Sequence, residues 1–227
     1  GVYIEPSFYT AVYDHDGTLI LDNTTQETHQ VVSAQTAWLL IDAMRDVMTS
    51  GTGKAAYFGG MDVAGKSGTT TANRDAVFAG FTPYYTCVIW GGNDDNSKQT
   101  SSQTSYSKKV WKQAMKRIHE DLDYASFHMP GGITSASVCK DSGKVGVPGM
   151  CDLFPRGSTI YTEYFTSGTV PADTCDHHIL LNICAASGHI ANANCPADQV
   201  VQRTYIVGAN PNTMEHDFIA TEEFLAT

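Results

Sequence analysis

No stretch of the chain holds the run of about 18 apolar residues that a membrane-crossing helix requires. No signal-peptide apolar core is present either, and the first residues are Gly1-Val2-Tyr3, without a methionine. The expectation is a processed product or a piece of a longer protein, anchored to a membrane only through a segment it does not carry. Basic residues are scarce, 14 Lys and Arg against 24 Asp and Glu, for a net charge of -10. That balance argues against nucleic acid as a partner, because phosphate backbones need a neutralising basic surface. Lys108, Lys109, Lys112, Lys116 and Arg117 do cluster, but along one predicted helix, where they read as a solvated face. Cysteine is nearly missing from the first 130 positions, with Cys87 alone inside an apolar strand pattern, where it reads as a small buried hydrophobe.

Five of the six cysteines (Cys139, Cys151, Cys175, Cys184, Cys195) fall in the final stretch, among Gly, Pro, Ser and Asn. Such a loop-rich, cysteine-stapled segment suits an oxidising, extracytoplasmic setting. Two accounts of it stand open. Cys175, His177, Cys184 and Cys195 have the residue types of a Cys3His zinc site. Disulfides with one thiol to spare are the plainer alternative, and they call for no metal and no cofactor. His15, His29, His119, His128, His189 and His216 show no ligand or triad spacing.

Periodicity places the elements. Val2 to Val12 reads as extended, and Asp14-His15-Asp16-Gly17 as a turn into Thr18–Leu21, together a hairpin. Ser33 is a candidate N-cap for a helix from Ala34 to about Thr49, with Ala37, Leu40, Ile41, Met44, Val47 and Met48 as its inward stripe. Gly51-Thr52-Gly53 ends it. Two strands follow, Asp75 to Thr82 and Tyr84 to Trp90, about a turn at Pro83. A second amphipathic helix is predicted from about Ser105 to Leu122, with Val110, Trp111, Ala114, Met115, Ile118 and Leu122 facing the core and Ser105 as its cap. The composition shifts after His128, so the predicted division is 1–128 and 129–227.

The chemistry concentrates in Gly60-Met61-Asp62-Val63-Ala64-Gly65-Lys66-Ser67-Gly68-Thr69-Thr70. Its first eight letters satisfy the nucleotide-binding pattern G-x-x-x-x-G-K-S/T. A phosphate loop, however, must leave a buried strand and open a helix. Here Lys54 to Phe58 is too short and mixed for that strand, and Gly68 with three following threonines is poor helix-forming sequence. The nucleotide reading is therefore a remote alternative. On a strand, Ser67 and Thr69 share one side and can offer two hydroxyls to one ligand group, while Gly68 admits a close backbone. Lys66 adds positive charge for a carboxylate or a developing oxyanion. An exposed strand of this kind suits the C-terminus of an extended peptide.

Joined to its neighbours, this element resembles that of class A penicillin-binding proteins. Their pattern runs Lys-Thr-Gly-Thr-Thr, a short spacer, Asp-Ala-Trp-Phe-Val-Gly-Tyr-Thr-Pro, and an apolar strand ending Trp-Val-Gly-Tyr-Asp. The chain has Lys66-Ser67-Gly68-Thr69-Thr70, then Asp75-Ala76-Val77-Phe78-Ala79-Gly80-Phe81-Thr82-Pro83, then Trp90-Gly91-Gly92-Asn93-Asp94. Gly1-Val2-Tyr3-Ile4-Glu5-Pro6, Asp16-Gly17 and Arg45 through Gly53 also look like the family. The likeness is close over about residues 1 to 125. Cys175-Asp176-His177 and Asn194-Cys195-Pro196 are similar to C-terminal extensions of some members.

The resemblance implies an α+β transpeptidase fold, an antiparallel sheet flanked by helices, of which this chain holds the C-terminal part and a cysteine-bearing extension. It implies acyl transfer from D-Ala-D-Ala stem peptides of peptidoglycan through a serine acyl-enzyme, blocked by β-lactams, on the extracytoplasmic face of the cell envelope. By position, Lys66 and the Thr69 amide would be catalytic, the latter as an oxyanion donor, and Ser67, Gly68, Thr69 and Thr70 would bind substrate or β-lactam. The family's nucleophilic Ser-x-x-Lys and its Ser-x-Asn lie well upstream of the Lys-Thr-Gly element, and only 65 residues precede Lys66. Ser105-Tyr106-Ser107-Lys108 and Ser137-Val138-Cys139-Lys140 have the right letters in the wrong order along the chain. The nucleophile is therefore expected on a missing N-terminal half, a second chain included. The alternative is a non-catalytic binding module that keeps the fold without the chemistry.

Overall fold

The computed structural model describes residues 1–207 and 219–225, which leaves His216 outside the described residues. It separates into two compact units, Gly1–Gly131 and Gly132–Thr227.

The first unit begins with four short strands, β1 (Val2–Ile4), β2 (Ala11–Tyr13), β3 (Leu19–Asp22) and β4 (Thr28–Gln30). β2 and β3 make the expected hairpin. Asp14 Oδ1 accepts from the amides of Asp16 and Thr18 at 2.9 and 2.8 Å, and Gly17 supplies the left-handed φ of 84°. The predicted extended run over Val2–Val12 is broken, however. Pro6 lacks a donor to continue a ladder, and β1 pairs antiparallel with β4 instead.

Helix α1 (Ala34–Thr49) is capped as predicted, with Ser33 Oγ accepting from the Thr36 amide at 3.1 Å. Most of its predicted inward stripe is covered, with Met48 buried and Ala37, Ile41, Met44 and Val47 half-buried, but two positions differ. Trp38 is buried, whereas Leu40 is 61% exposed. The large indole takes the core-facing position, and Leu40, two residues on, falls about 200° around the helix from it.

Strands β5 (Ala64–Thr69), β6 (Asp75–Phe81) and β7 (Thr86–Gly92) form an antiparallel sheet in the order β5-β6-β7. β6 alternates strictly, burying Ala76, Phe78 and Gly80 on one face. Helices α2 (Ser101–Thr104) and α3 (Tyr106–Ile118) follow. Trp111 and Met115 of α3 are fully buried, and the Trp111 ring meets Phe78 edge-on at 5.2 Å while its Nε1 donates to Cys87 O at 2.9 Å. Burying each such side chain contributes roughly 1.5–3 kcal/mol. Gly80 is what lets the helix come this close, since a Cβ there would lie 2.6 Å from the Trp111 ring.

Two expectations for this helix hold only in part. Ser105 does hold the N-cap position of α3, but its side chain makes no capping bond; the reciprocal capping box is at Thr100 and Gln103, at the start of α2. Ser105 sits between α2 and α3 and donates its hydroxyl to Ser102 O at 2.8 Å. At the other end Ile118 is 51% exposed and His119 is buried, its Nε2 2.9 Å from Thr82 Oγ1 and its Nδ1 2.7 Å from Met115 O. Those polar partners satisfy the ring, which an isoleucine could not use. Cys87 is half-buried, packs against this core and carries a free thiol, which burial pushes above its ordinary pKa.

The second unit holds more strand than its composition suggested. β8 (Ile133–Cys139) and β9 (Ile160–Thr166) pair along seven positions, as do β10 (His178–Cys184) and β11 (Val200–Val207). β12 (Ile219–Ala220) adds in parallel to β11 and leads into α4 (Glu222–Leu225). Two small cores hold the unit. One is built on Cys139, Cys151 and Cys175, the other on Ile183, Tyr205 and Ala220.

Candidate functional site

β5 and β7 are the two edges of the three-stranded sheet, and the element singled out in the sequence lies along β5. Lys66, Gly68 and Thr69 are exposed and Ser67 is half-buried. Direct partners across an antiparallel pair project to the same face. Ser67 opposes Phe78 and Thr69 opposes Ala76, so both hydroxyls lie on the helix-covered face; Lys66 opposes Ala79 on the other. The Ser67 hydroxyl is held 2.8 Å from that of Thr52, in the turn after α1. Lys108 of α3 donates from Nζ to Thr52 O at 3.2 Å, so α3 steadies the turn that holds Ser67. Thr52 and Lys108 escaped the sequence reading, Thr52 as part of a helix terminator and Lys108 as part of a solvated face.

The main chain of the edge follows from one hydrogen bond. The Thr70 amide donates inward to Asp75 O at 3.1 Å. Backbone groups along a strand alternate, so the amides of Ser67 and Thr69 turn outward, away from β6. Lys66 swings its ammonium to the same margin, with Nζ 3.1 Å from Ser67 O. Gly68 is open, and a Cβ there would meet only Val77 at 3.8 Å. Thr70 is differently employed. Its hydroxyl donates to Asp75 Oδ2 at 2.9 Å and accepts from the Asp75 amide at 2.8 Å, closing the β5–β6 turn. The edge can thus pair with an extended main chain, donate two amides and present a cation within one short stretch.

The same geometry disposes of the nucleotide pattern. Lys66 and Ser67 lie in mid-strand, and no helix begins at Ser67. Gly65 serves packing, because a Cβ there would stand 2.9 Å from Ala79 O and from the Phe78 ring. At Lys66–Ser67 no helix N-terminus offers its amides to a phosphate.

Neither Ser-x-x-Lys string forms a nucleophile–base pair. Ser105 is tied to Ser102, and Lys108 reaches Thr52. Ser137 lies in β8 opposite Thr162, rather than in a loop. Lys140 follows at an odd spacing, which a strand sends to the opposite face.

Residues 1–118 match the penicillin binding protein transpeptidase domain, and residues 129–180 match the C-terminal domain of penicillin-binding protein 1A. The chain belongs to the penicillin-binding protein transpeptidase family. It is 37% identical over 185 residues to penicillin-binding protein 1A of Clostridium perfringens, covering 82% of this chain and 22% of that protein. With penicillin-binding protein 1A of Clostridium botulinum it shares 35% identity over 207 residues, covering 91% of this chain and 25% of that one. It therefore spans about a quarter of the length of these relatives. Among solved structures, penicillin-binding protein 1A of Haemophilus influenzae aligns with a TM-score of 0.62 at 19% identity, over 76% of this chain and 30% of that one. That likeness supports the α+β fold of the family. Among the described residues no helix is long and apolar enough to cross a membrane.

The cysteines of this family member divide differently from the expectation. Cys184 and Cys195 form a disulfide with Cα atoms 5.9 Å apart. That bond removes both from the zinc set proposed with Cys175 and His177, and the set is not assembled. Cys175 instead gathers with Cys139, Cys151 and His178, all buried and none disulfide-bonded. Burial pushes the Cys151 thiol up to about 12, against the Val147 amide that donates to it. Burial acts on Cys139 in the same sense, but the Thr159 hydroxyl and the amides of Ser142 and Asp141 outweigh it and bring that thiol below its ordinary value. Burial depresses the imidazole of His178, with Asp141 pulling the other way.

Proposed function

We propose that this chain supplies the substrate-binding wall of a serine DD-transpeptidase that cross-links peptidoglycan and is blocked by β-lactams. The observation that carries this reading is the β5 edge, where the outward Thr69 amide, the anchored Ser67 hydroxyl and the Lys66 ammonium share one margin. Membership in the transpeptidase family supports it. A stem peptide ending in D-Ala-D-Ala lies along the edge as an added strand. Its terminal carboxylate takes hydrogen bonds from the hydroxyls of Ser67 and Thr69 and charge from Lys66, and Gly68 leaves room for its main chain.

The nucleophilic serine lies on a segment this chain does not contain. Its oxygen attacks the penultimate carbonyl, and the oxyanion that forms accepts from the Thr69 amide. Collapse breaks the peptide bond, and the terminal D-alanine leaves with a proton on its amine, giving an acyl-enzyme. The amine of a second stem peptide then attacks the ester, loses a proton and returns the serine, leaving a peptide cross-link. A β-lactam follows the first half of this course and stays attached. Thr70 acts by fixing the turn through Asp75. Residues 1–128 are the C-terminal part of the transpeptidase domain, residues 129–227 are an extension, and both work on the outer side of the membrane.

Fluorescent penicillin tests the assignment. The 227-residue chain alone takes no covalent label, and a longer protein carrying it is labelled on a serine outside it. A stable adduct on Ser105 or Ser137 overturns the assignment. An unlabelled longer protein favours a binding module without chemistry.

A further inference from the structure

The ligand atoms of Cys139, Cys151, Cys175 and His178 lie within 4.8 Å of one another in a fully buried cluster. His178 Nδ1 is 3.5 Å from Cys139 Sγ and 3.4 Å from Cys175 Sγ. A tetrahedron with Zn–S near 2.3 Å and Zn–N near 2.0–2.1 Å has an S···N edge of about 3.5 Å. The two observed S···N separations match that edge. Three sulfurs cannot all be satisfied by disulfides among themselves, and none is bonded to another.

We propose that Cys139, Cys151, Cys175 and His178 form a tetrahedral structural zinc site, with His178 coordinating through Nδ1. The surroundings suit this. Asp141 Oδ2 is 3.3 Å from His178 Nε2, a buried nitrogen that has no aligned hydrogen-bond partner. A carboxylate against the far nitrogen of a coordinating imidazole fixes its tautomer and orientation. The Val147 amide donates to Cys151 Sγ at 3.4 Å, and the Thr159 hydroxyl lies 3.4 Å from Cys139 Sγ, as a thiolate set needs. Soft sulfur with one imidazole selects zinc over magnesium or calcium, and four protein ligands leave no open position for catalysis. Binding is not a redox step: each thiol gives its proton to solvent as its sulfur joins the metal.

The site also explains how the unit is held. Cys139 closes β8, Cys151 opens a short 3-10 turn, Cys175 follows the bridge between Val145 and Thr174, and His178 opens β10. One ion thus staples the β8–β9 pair to the β10–β11 pair, in a unit whose hydrophobic cores are small.

The test is zinc and thiol content of the 227-residue chain, purified without reductant and passed over a chelating resin. The expected result is one zinc per chain, with Cys87, Cys139, Cys151 and Cys175 all titrating as thiols after denaturation. A metal-free chain, or one with two of these thiols lost to a disulfide, overturns the proposal. Cobalt(II) replacement should give the intense visible bands of a tetrahedral thiolate site. His178→Cys should keep one metal and shift those bands towards an all-sulfur spectrum, so the proposal does not hang on a variant that fails to fold. Unshifted bands in His178→Cys, or zinc lost from Cys87→Ser, overturn the assignment.

Discussion

At the β5 edge the reactive groups face solvent, with Lys66 and Thr69 exposed, whereas in the second unit Cys139, Cys151, Cys175 and His178 are all buried. The edge groups are only lightly engaged, by Thr52 and by the neighbouring carbonyl of Ser67, and can exchange those partners for a ligand. The cluster groups are buried against one another and against Thr159, Val147 and Asp141, so they are not free to exchange partners with a ligand from solution. Exposure with outward donors makes a recognition surface; closure makes a fastening. Substitutions at the edge should therefore change reaction with β-lactams and spare stability, and substitutions in the cluster should do the reverse. All three tryptophans (Trp38, Trp90, Trp111) lie in the first unit, so their fluorescence reads that unit alone, and bound metal reads the second.

The largest effect tests whether the edge rests on its own core. Trp111→Ala empties the site against which Phe78 and Gly80 pack and should lower the stability of the first unit by about 3–5 kcal/mol. Urea unfolding followed by the fluorescence of Trp38 and Trp90 measures it, and the zinc content of the second unit should not change. A loss under about 1 kcal/mol would mean the sheet is held by something other than α3. Next in size, Thr69→Pro deletes one outward amide at a position where an edge strand tolerates proline, and Thr69→Val, which keeps the amide, separates out the lost hydroxyl. Acylation of the longer protein by penicillin should slow by about 10²–10³, with a nearly unchanged unfolding midpoint. An unaffected rate would remove the Thr69 amide from the chemistry.

What could be read from the sequence was what local spacing decides. The Ser33 cap, the β2–β3 turn and the three-strand run beginning at Lys66 are written in adjacent residues, and they formed. The inward faces of the helices were less legible. Leu40 and Ile118 fit an apolar stripe, but the packing took Trp38 and His119, and one of the two partners that hold His119 is Thr82, after β6. The cysteines show the limit most plainly. Cys175 and His177 are near neighbours in sequence, yet the residue brought to the sulfurs is His178, at the start of β10. Successive residues entering a strand point to opposite sides, so a shift of one position exchanges ligand for bystander. The partition of Cys184 and Cys195 from the other three depended on which loops meet, which spacing does not encode. The Thr52–Ser67 contact, 15 residues apart, was hidden for the same reason.

Two smaller substitutions sharpen the contrast within the first unit. Gly80→Ala places a methyl group 2.6 Å from the Trp111 ring and should cost about 1–3 kcal/mol in the same fluorescence measurement through overpacking. It alters packing and adds nothing to the edge, so the penicillin reaction of the folded protein should be unchanged. Thr52→Ala makes the opposite separation. It removes the hydroxyl 2.8 Å from Ser67 Oγ but keeps the carbonyl that Lys108 grips, since that contact is to the main chain. Ser67 is half-buried, and solvent can replace part of what is lost, so the effect is that of one hydrogen bond, about 0.5–1.5 kcal/mol. Because Thr52 fixes which way the Ser67 hydroxyl points, that loss should appear in reaction with β-lactam, as a two- to tenfold slower acylation, while the unfolding midpoint barely moves. A drop in stability without a change in rate would make the Thr52–Ser67 pair a strut of the fold and leave the carboxylate to Thr69 and Lys66.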